Sequence, residues 1–120
     1  MSGCKVIALL KKRDGLSREA FIAYYETHHA PLILSLFPQI TGYQRNFADF
    51  DGAYVYPNAA PFDFDCVTEI SFSSRADYDA FGALAATPEV ADQISADEKH
   101  FLDQSHTRMF LVDERTSLIS

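Results

Sequence analysis

Cysteine is scarce: Cys4 and Cys66 are the only two in 120 residues. They stand too far apart to found a disulfide framework or a paired zinc site. Reduced thiols are expected, and with them a cytoplasmic setting. Glycine is sparse too, and Gly3, Gly15, Gly42, Gly52 and Gly82 stand singly. Neither a dinucleotide fingerprint nor a phosphate loop can be assembled from them, so no nucleotide cofactor is expected. Basic residues are outnumbered, 10 Lys and Arg against 17 Asp and Glu, and the one basic run is Lys11-Lys12-Arg13. That balance excludes a surface built to track nucleic-acid phosphates. Near the N-terminus the longest apolar run, Val6 to Leu10, is too short for a signal segment or a membrane span. A GxSxG elbow, internal repeats and low-complexity linkers are likewise missing. A single domain over residues 1–120 is the expectation, with its core at about 5–114 and a tail at 115–120.

What the chain does have is apolar material, 48% of residues with 13% aromatics, enough to bury a core without staples. Lys5 to Lys11 alternates two apolar sets, Val6, Ala8, Leu10 and Ile7, Leu9, and predicts a strand covered on both faces. Asp14-Gly15 turns the chain and Ser17 caps a helix carrying Phe21, Tyr24, Tyr25, His28, His29, Leu32 and Leu36 at helical spacing. Pro31 has no N–H for the carbonyl of Thr27, so a defect is predicted around His29. Strands are predicted at Thr41–Phe47, Asp65–Phe72 and Thr107–Asp113. Helices start at Ser74 and at Thr87-Pro88. An aromatic loop over 49–64 reads as a lid or as an arm packed on a partner.

The order β-α-β-β-α(α)-β is the ferredoxin-like arrangement, an α+β fold with one four-stranded antiparallel sheet and helices on one face. The other face should be polar in a monomer, yet the first and last strands are apolar on both sides. A second copy is the economical cover, giving a homodimer. In this topology Cys4 and Cys66 lie at opposite ends of the sheet, which rules out a disulfide between them within one chain.

His29 is the candidate acid/base group, on the buried helix face one turn after Tyr25. Its bland alternative is a core histidine satisfied by the free Thr27 carbonyl. His28 points about 100° away and suits the surface, with substrate contact as its functional alternative. Asp97 and Glu98 flank the stripe of Ile94 and Phe101, which suits a solvated rim or, if half-buried, a proton acceptor or a group binding a substrate hydroxyl. Asp65 reads as a turn residue that could also meet a ligand. Glu26-x-x-His29 and Asp97-x-x-His100 hint at a di-metal site, but such a site needs four facing helices, so no metal is expected. Cys66 reads as buried and inert.

The stretch FIAYYETHHAPLI, then YQRNF, FDCVTEISFSS, ADEKHFLD and FLVDE resemble, in order, the EthD family of the dimeric α+β barrel superfamily. The resemblance spans roughly residues 5 to 114, and its most specific part is the aromatic pair followed by HAPL. It implies that His29 is the signature histidine and that Tyr24 and Tyr25 are the preceding pair, with Tyr25 standing where members often carry Trp. It also implies a homodimer joined through the sheets and a cavity between each sheet and its own helices.

Taken together, the residues and the resemblance lead to the expectation of an enzyme without metal or organic cofactor. His29 would move a proton on a small oxygenated aromatic or lactone-like compound, by isomerisation, dehydration or cyclisation. Tyr25 would act with it, and Tyr24, Tyr43, His28, Asp65, Asp97, Glu98 and Phe101 would bind substrate. Two alternatives stay open, an oxidoreductase or monooxygenase and a non-catalytic ligand-binding accessory to an oxygenase.

Overall fold

The computed structural model describes residues 3–120. Four strands, β1 (Cys4–Leu10), β2 (Ile40–Phe47), β3 (Cys66–Phe72) and β4 (Arg108–Val112), form one antiparallel sheet in the order β2-β3-β1-β4. Together with the helices this is the ferredoxin-like α+β fold that the pattern predicts. Cys4 lies opposite Phe72 and Cys66 opposite Leu10, so the two free thiols are at opposite ends of β1 and β3.

Alternation sorts the strands into two faces. Val6, Ala8 and Leu10 of β1 and Cys66, Thr68, Ile70 and Phe72 of β3 are buried under the helices. Ile7 and Leu9 point the other way, and Ile7 pairs in register with Phe110, which is 45% exposed. Among the described residues no helix covers that second face, which is the apolar surface the sequence anticipates.

The first helical stretch explains where the chemistry sits. Ser17 accepts a hydrogen bond from the Ala20 N–H and starts α1 (Arg18–Tyr24), a cap worth about 1 kcal/mol. The ladder then widens into one π turn, Tyr25–His29, before α2 (Ala30–Leu36) carries it on. The defect anticipated at Pro31 is therefore a continuous bulge and not a break. Ala30 donates to the Tyr25 carbonyl five residues back, and the missing proline N–H is absorbed there. Tyr25, His29, Ala30 and Ile33 all end up buried against the sheet.

On the other side α3 (Arg75–Ala85) is capped by Ser74, and α4 (Pro88–Glu98) starts with proline at its first position. A short 3-10 turn, Gln104–His106, leads into β4. Between β2 and β3 the aromatic loop makes its own cluster, Phe50 stacked on Phe62 at 4.3 Å with Phe64 edge-on. Asp63 ties it to Arg108 of β4 at 3.1 Å, while Tyr54 at its tip is 82% exposed.

The core falls into two clusters, one around Phe21, Tyr25, Cys66 and Phe101, the other around Val6, Ile33, Ile70 and Phe81. A cavity lies where they meet, lined by members of both. No helix among the described residues is long and apolar enough to cross a membrane.

Candidate active site

The cavity has a volume of about 350 Å³ and a mostly apolar wall that includes Leu10, Ile33, Phe37, Ile70, Phe81 and Ile94. Into it come the polar groups of His29, Tyr25, Tyr43, Thr68 and Glu98. A larger depression beside the start of β1 is open and polar, and its charged members are already paired, Lys5 with Glu114 and Asp113 with Arg115. The His29 cavity combines apolar walls with proton carriers.

His29 is 6% exposed, and its Nδ1 lies 2.6 Å from Oδ2 of Asp97 on α4. A carboxylate only accepts, so Nδ1 carries the proton and Nε2 of the neutral ring is the free base. Nε2 has no hydrogen-bond partner among the described residues. The ring is fixed from the sides by Tyr25, edge-on at 5.1 Å, and by Phe101 at 4.9 Å. The alternative in which the Thr27 carbonyl satisfies this imidazole does not hold, because Asp97 takes that role.

Asp97 itself is not the solvated rim its sequence position favours. Its side chain is 11% exposed, and Oδ1 accepts a second bond, 2.7 Å long, from the Tyr24 hydroxyl. Burial and this bond together push the Tyr24 phenol up to about 12, so it remains a donor at neutral pH. The result is a chain Tyr24–Asp97–His29 that ends on the cavity wall.

A second hydrogen-bond chain runs along the floor. Tyr43 donates to the Tyr25 hydroxyl at 3.2 Å, and the Tyr25 hydroxyl lies 2.7 Å from Oγ1 of Thr68. Burial raises the Tyr25 phenol far above its ordinary value and lifts that of Tyr43 to about 12, so both are donors and never bases. Cys66 lies 3.5 Å from Thr68, and burial raises its thiol to about 11, which agrees with an inert core cysteine.

Other candidates fall outside the cavity. His28 is exposed and stacked on Tyr24 at 4.5 Å, because the helical offset carries it off the buried face. Tyr24 reaches the site only through Asp97. Phe101, 0% exposed, packs behind the His29 ring and does not line the space. Asp65 accepts from the Lys12 N–H at 2.8 Å at the end of β3 and plays the turn role. Glu26 is held by Arg45 in a two-pronged ion pair at 2.6 and 2.8 Å, and His100 stacks on Tyr24 at the surface. Among the described residues no three His, Cys, Asp or Glu side chains gather as a metal site. The loop over 49–64 contributes nothing to the cavity of its own subunit, so it is not a lid there.

Thr68 was not among the candidates. Its signal is period two: in CVTEISF it shares the inward face with Cys66 and Ile70.

The family model of the EthD domain matches residues 13–105, most of the chain and both halves of this site. The protein belongs to the EthD family. No functionally curated protein matches it. Among solved structures an EthD family protein from Bacillus halodurans is similar at 18% identity, covering 95% of this chain and 100% of its own, with a TM-score of 0.61. HapK from Hahella chejuensis is similar at 16% identity over 98% of this chain and 97% of its own, TM-score 0.60. SnoaB from Streptomyces nogalater, a cofactor-independent oxygenase, is similar at 12% identity over 100% of both chains, TM-score 0.58. At such identities the likeness establishes the ferredoxin-like fold that this EthD protein shares with them, and function has to be argued from the site.

Proposed function

We propose that this EthD protein is an enzyme in which His29 moves a proton on a small oxygenated aromatic or lactone-like compound, by isomerisation, dehydration or cyclisation. The observation that carries this reading is the 2.6 Å contact between Nδ1 of His29 and Asp97 at the wall of an apolar cavity. Asp97 selects the tautomer with a basic Nε2 and stabilises the imidazolium formed when that nitrogen takes a proton. Tyr24 holds Asp97 in place, and the Tyr43–Tyr25–Thr68 chain offers hydroxyl groups along which a substrate oxygen can be oriented.

Size supports the substrate class. A cavity of about 150 Å³ holds benzene, so the 350 Å³ here suits a compound of two or three fused rings. The enzyme acts as a homodimer in which the Ile7 and Phe110 faces of two sheets meet, and the exposed Tyr54 arm lies on the second subunit.

A second reading is favoured by the similarity to SnoaB, named as a cofactor-independent oxygenase. The same deprotonation at Nε2 would then hand the substrate anion to O2, and oxygen uptake separates the two readings. The test is product formation by mass spectrometry across hydroxylated bicyclic aromatics and lactones, under air and under nitrogen. His29→Gln should lower turnover at least about 100-fold with the fold intact. Full activity in that variant sinks the reading.

A further inference from the structure

Glu98 is the half-buried acid that the mechanism above leaves without a task. It lines the His29 cavity from the last turn of α4. No Lys or Arg pairs with it among the described residues, and its Oε1 accepts a single, long bond of 3.3 Å from Nε2 of Gln104. Its neighbour Asp97 accepts two short bonds instead. The C-terminal end of a helix adds the negative end of the helix dipole, which disfavours a second negative charge there. The groups that bear on Glu98 are His29 on the π turn, Asp97 on its own helix and Gln104 on the 3-10 turn. Burial, the largest of the influences, raises its carboxyl above the ordinary carboxylate value. Gln104 occupies Oε1, which leaves Oε2 without a hydrogen-bond partner among the described residues.

We propose that Glu98 donates a hydrogen bond to the substrate's carbonyl oxygen while His29 takes the proton from the adjoining carbon, which makes the substrate a small, mostly apolar carbonyl compound with an acidic C–H. This rests on the reading of His29 as the proton carrier. The step balances within the cavity. Nε2 of His29 accepts the proton, and the C–H electron pair becomes a C=C bond. The carbonyl π pair moves onto oxygen, where the Oε2–H of Glu98 stabilises it without being transferred. In a β,γ-unsaturated carbonyl compound the anion is a dienolate, and return of the proton from the imidazolium to its γ-carbon completes an isomerisation with no co-reactant. Two carboxyls one residue apart thus serve opposite ends of one reaction: Asp97 accepts from the base, and Glu98 donates to the oxyanion.

Binding of an enolate mimic tests this without turnover. The probe is 4-nitro-1-naphthol, whose ionised form absorbs at longer wavelength, so one titration reads both affinity and the state bound. The wild-type protein should bind it as the naphtholate. Glu98→Ala should weaken binding about 10- to 100-fold, the worth of a hydrogen bond to a charged group. Glu98→Gln keeps an N–H donor and should stay within about threefold of wild type on that scale. The same difference between Ala and Gln should persist in a His29→Gln background, which separates failure of this inference from failure of the His29 reading. No saturable binding by wild type, unchanged affinity in Glu98→Ala, or a loss in Glu98→Gln as large as in Glu98→Ala overturns it. So does tighter binding in Glu98→Gln, the signature of an ionised Glu98.

Discussion

Replacing Tyr25 with Phe keeps the ring in its aromatic nest and deletes one hydroxyl, which makes it a clean probe of the cavity floor. The ring packs edge-on against Phe21, Phe47 and His29, so the apolar contribution survives. What is lost is the 2.7 Å bond to Thr68 and the acceptor for Tyr43 at 3.2 Å. Thr68 is 1% exposed and falls back on Cys66 alone, at 3.5 Å. A buried hydroxyl left without its partner costs about 1–3 kcal/mol, and the residual sulfur contact argues for about 1–2. A chain of 120 residues carries an unfolding entropy of about 0.25 kcal/mol/K, so each kcal/mol moves Tm by about 4 °C. The expected drop is about 4–8 °C in thermal unfolding at fixed protein concentration. Thr68→Val should cost a similar amount alone and much less in the Tyr25→Phe background, with a coupling of about 0.5–2 kcal/mol. Strict additivity, or a Tm unmoved by Tyr25→Phe, would refute the shared bond.

Further outcomes follow from the same geometry. Phe110→Asp puts a charge on the uncovered apolar face, on the edge strand β4 beside Ile7. Losing the burial of Phe110 on both subunits should weaken self-association at least about 100-fold. Light scattering should then find 13.5 kDa particles, where the proposed dimer predicts twice that mass for the wild type; a wild type that is monomeric at all concentrations contradicts the dimer. For Glu98 the sign is set by a carboxyl raised above its ordinary value of 4.5 in the folded protein. The folded state then holds the proton more tightly than the unfolded chain, and stability falls as pH rises through 4.5 toward the folded value. Glu98→Gln should remove that decline, and denaturant titrations at pH values on both sides of this window read it out; an unchanged slope counts against the burial argument. Asp97→Asn should lower turnover by at least about tenfold by loosening the imidazole, while leaving the cavity and its apolar wall intact. Wild-type rates in that variant would remove Asp97 from the mechanism.

The frame of the molecule was legible in the sequence because it rests on local rules. Alternation in VIALL and CVTEISF, the Ser17 and Ser74 caps and the order of elements lead directly to the ferredoxin-like sheet. The defect before Pro31 was visible as well, although its form was not. Whether a missing N–H ends a helix or widens one turn depends on the sheet packed beneath it, which holds Tyr25 and Ile33 to one face. Asp97 was the hardest residue to place. Helical spacing puts it at the edge of the apolar stripe, where either rim or site is open. What buries it are the partners Tyr24 and His29, 73 and 68 residues away in the chain. Phe101 differs the other way, packing behind the imidazole and not in the cavity wall, while His28 lies at the surface as its helical offset suggests. Local pattern assigns a residue to a face; only tertiary contact decides which side of a wall it stands on.

Nitrogen-15 NMR of the His29 ring tests the central claim most directly, since it reads which nitrogen carries the proton in the neutral imidazole. The account expects a protonated, pyrrole-like Nδ1 bonded to Asp97 and a bare, pyridine-like Nε2 that responds when a ligand enters the cavity. A ring with its proton on Nε2, or one whose signals shift no differently in Asp97→Asn, contradicts it.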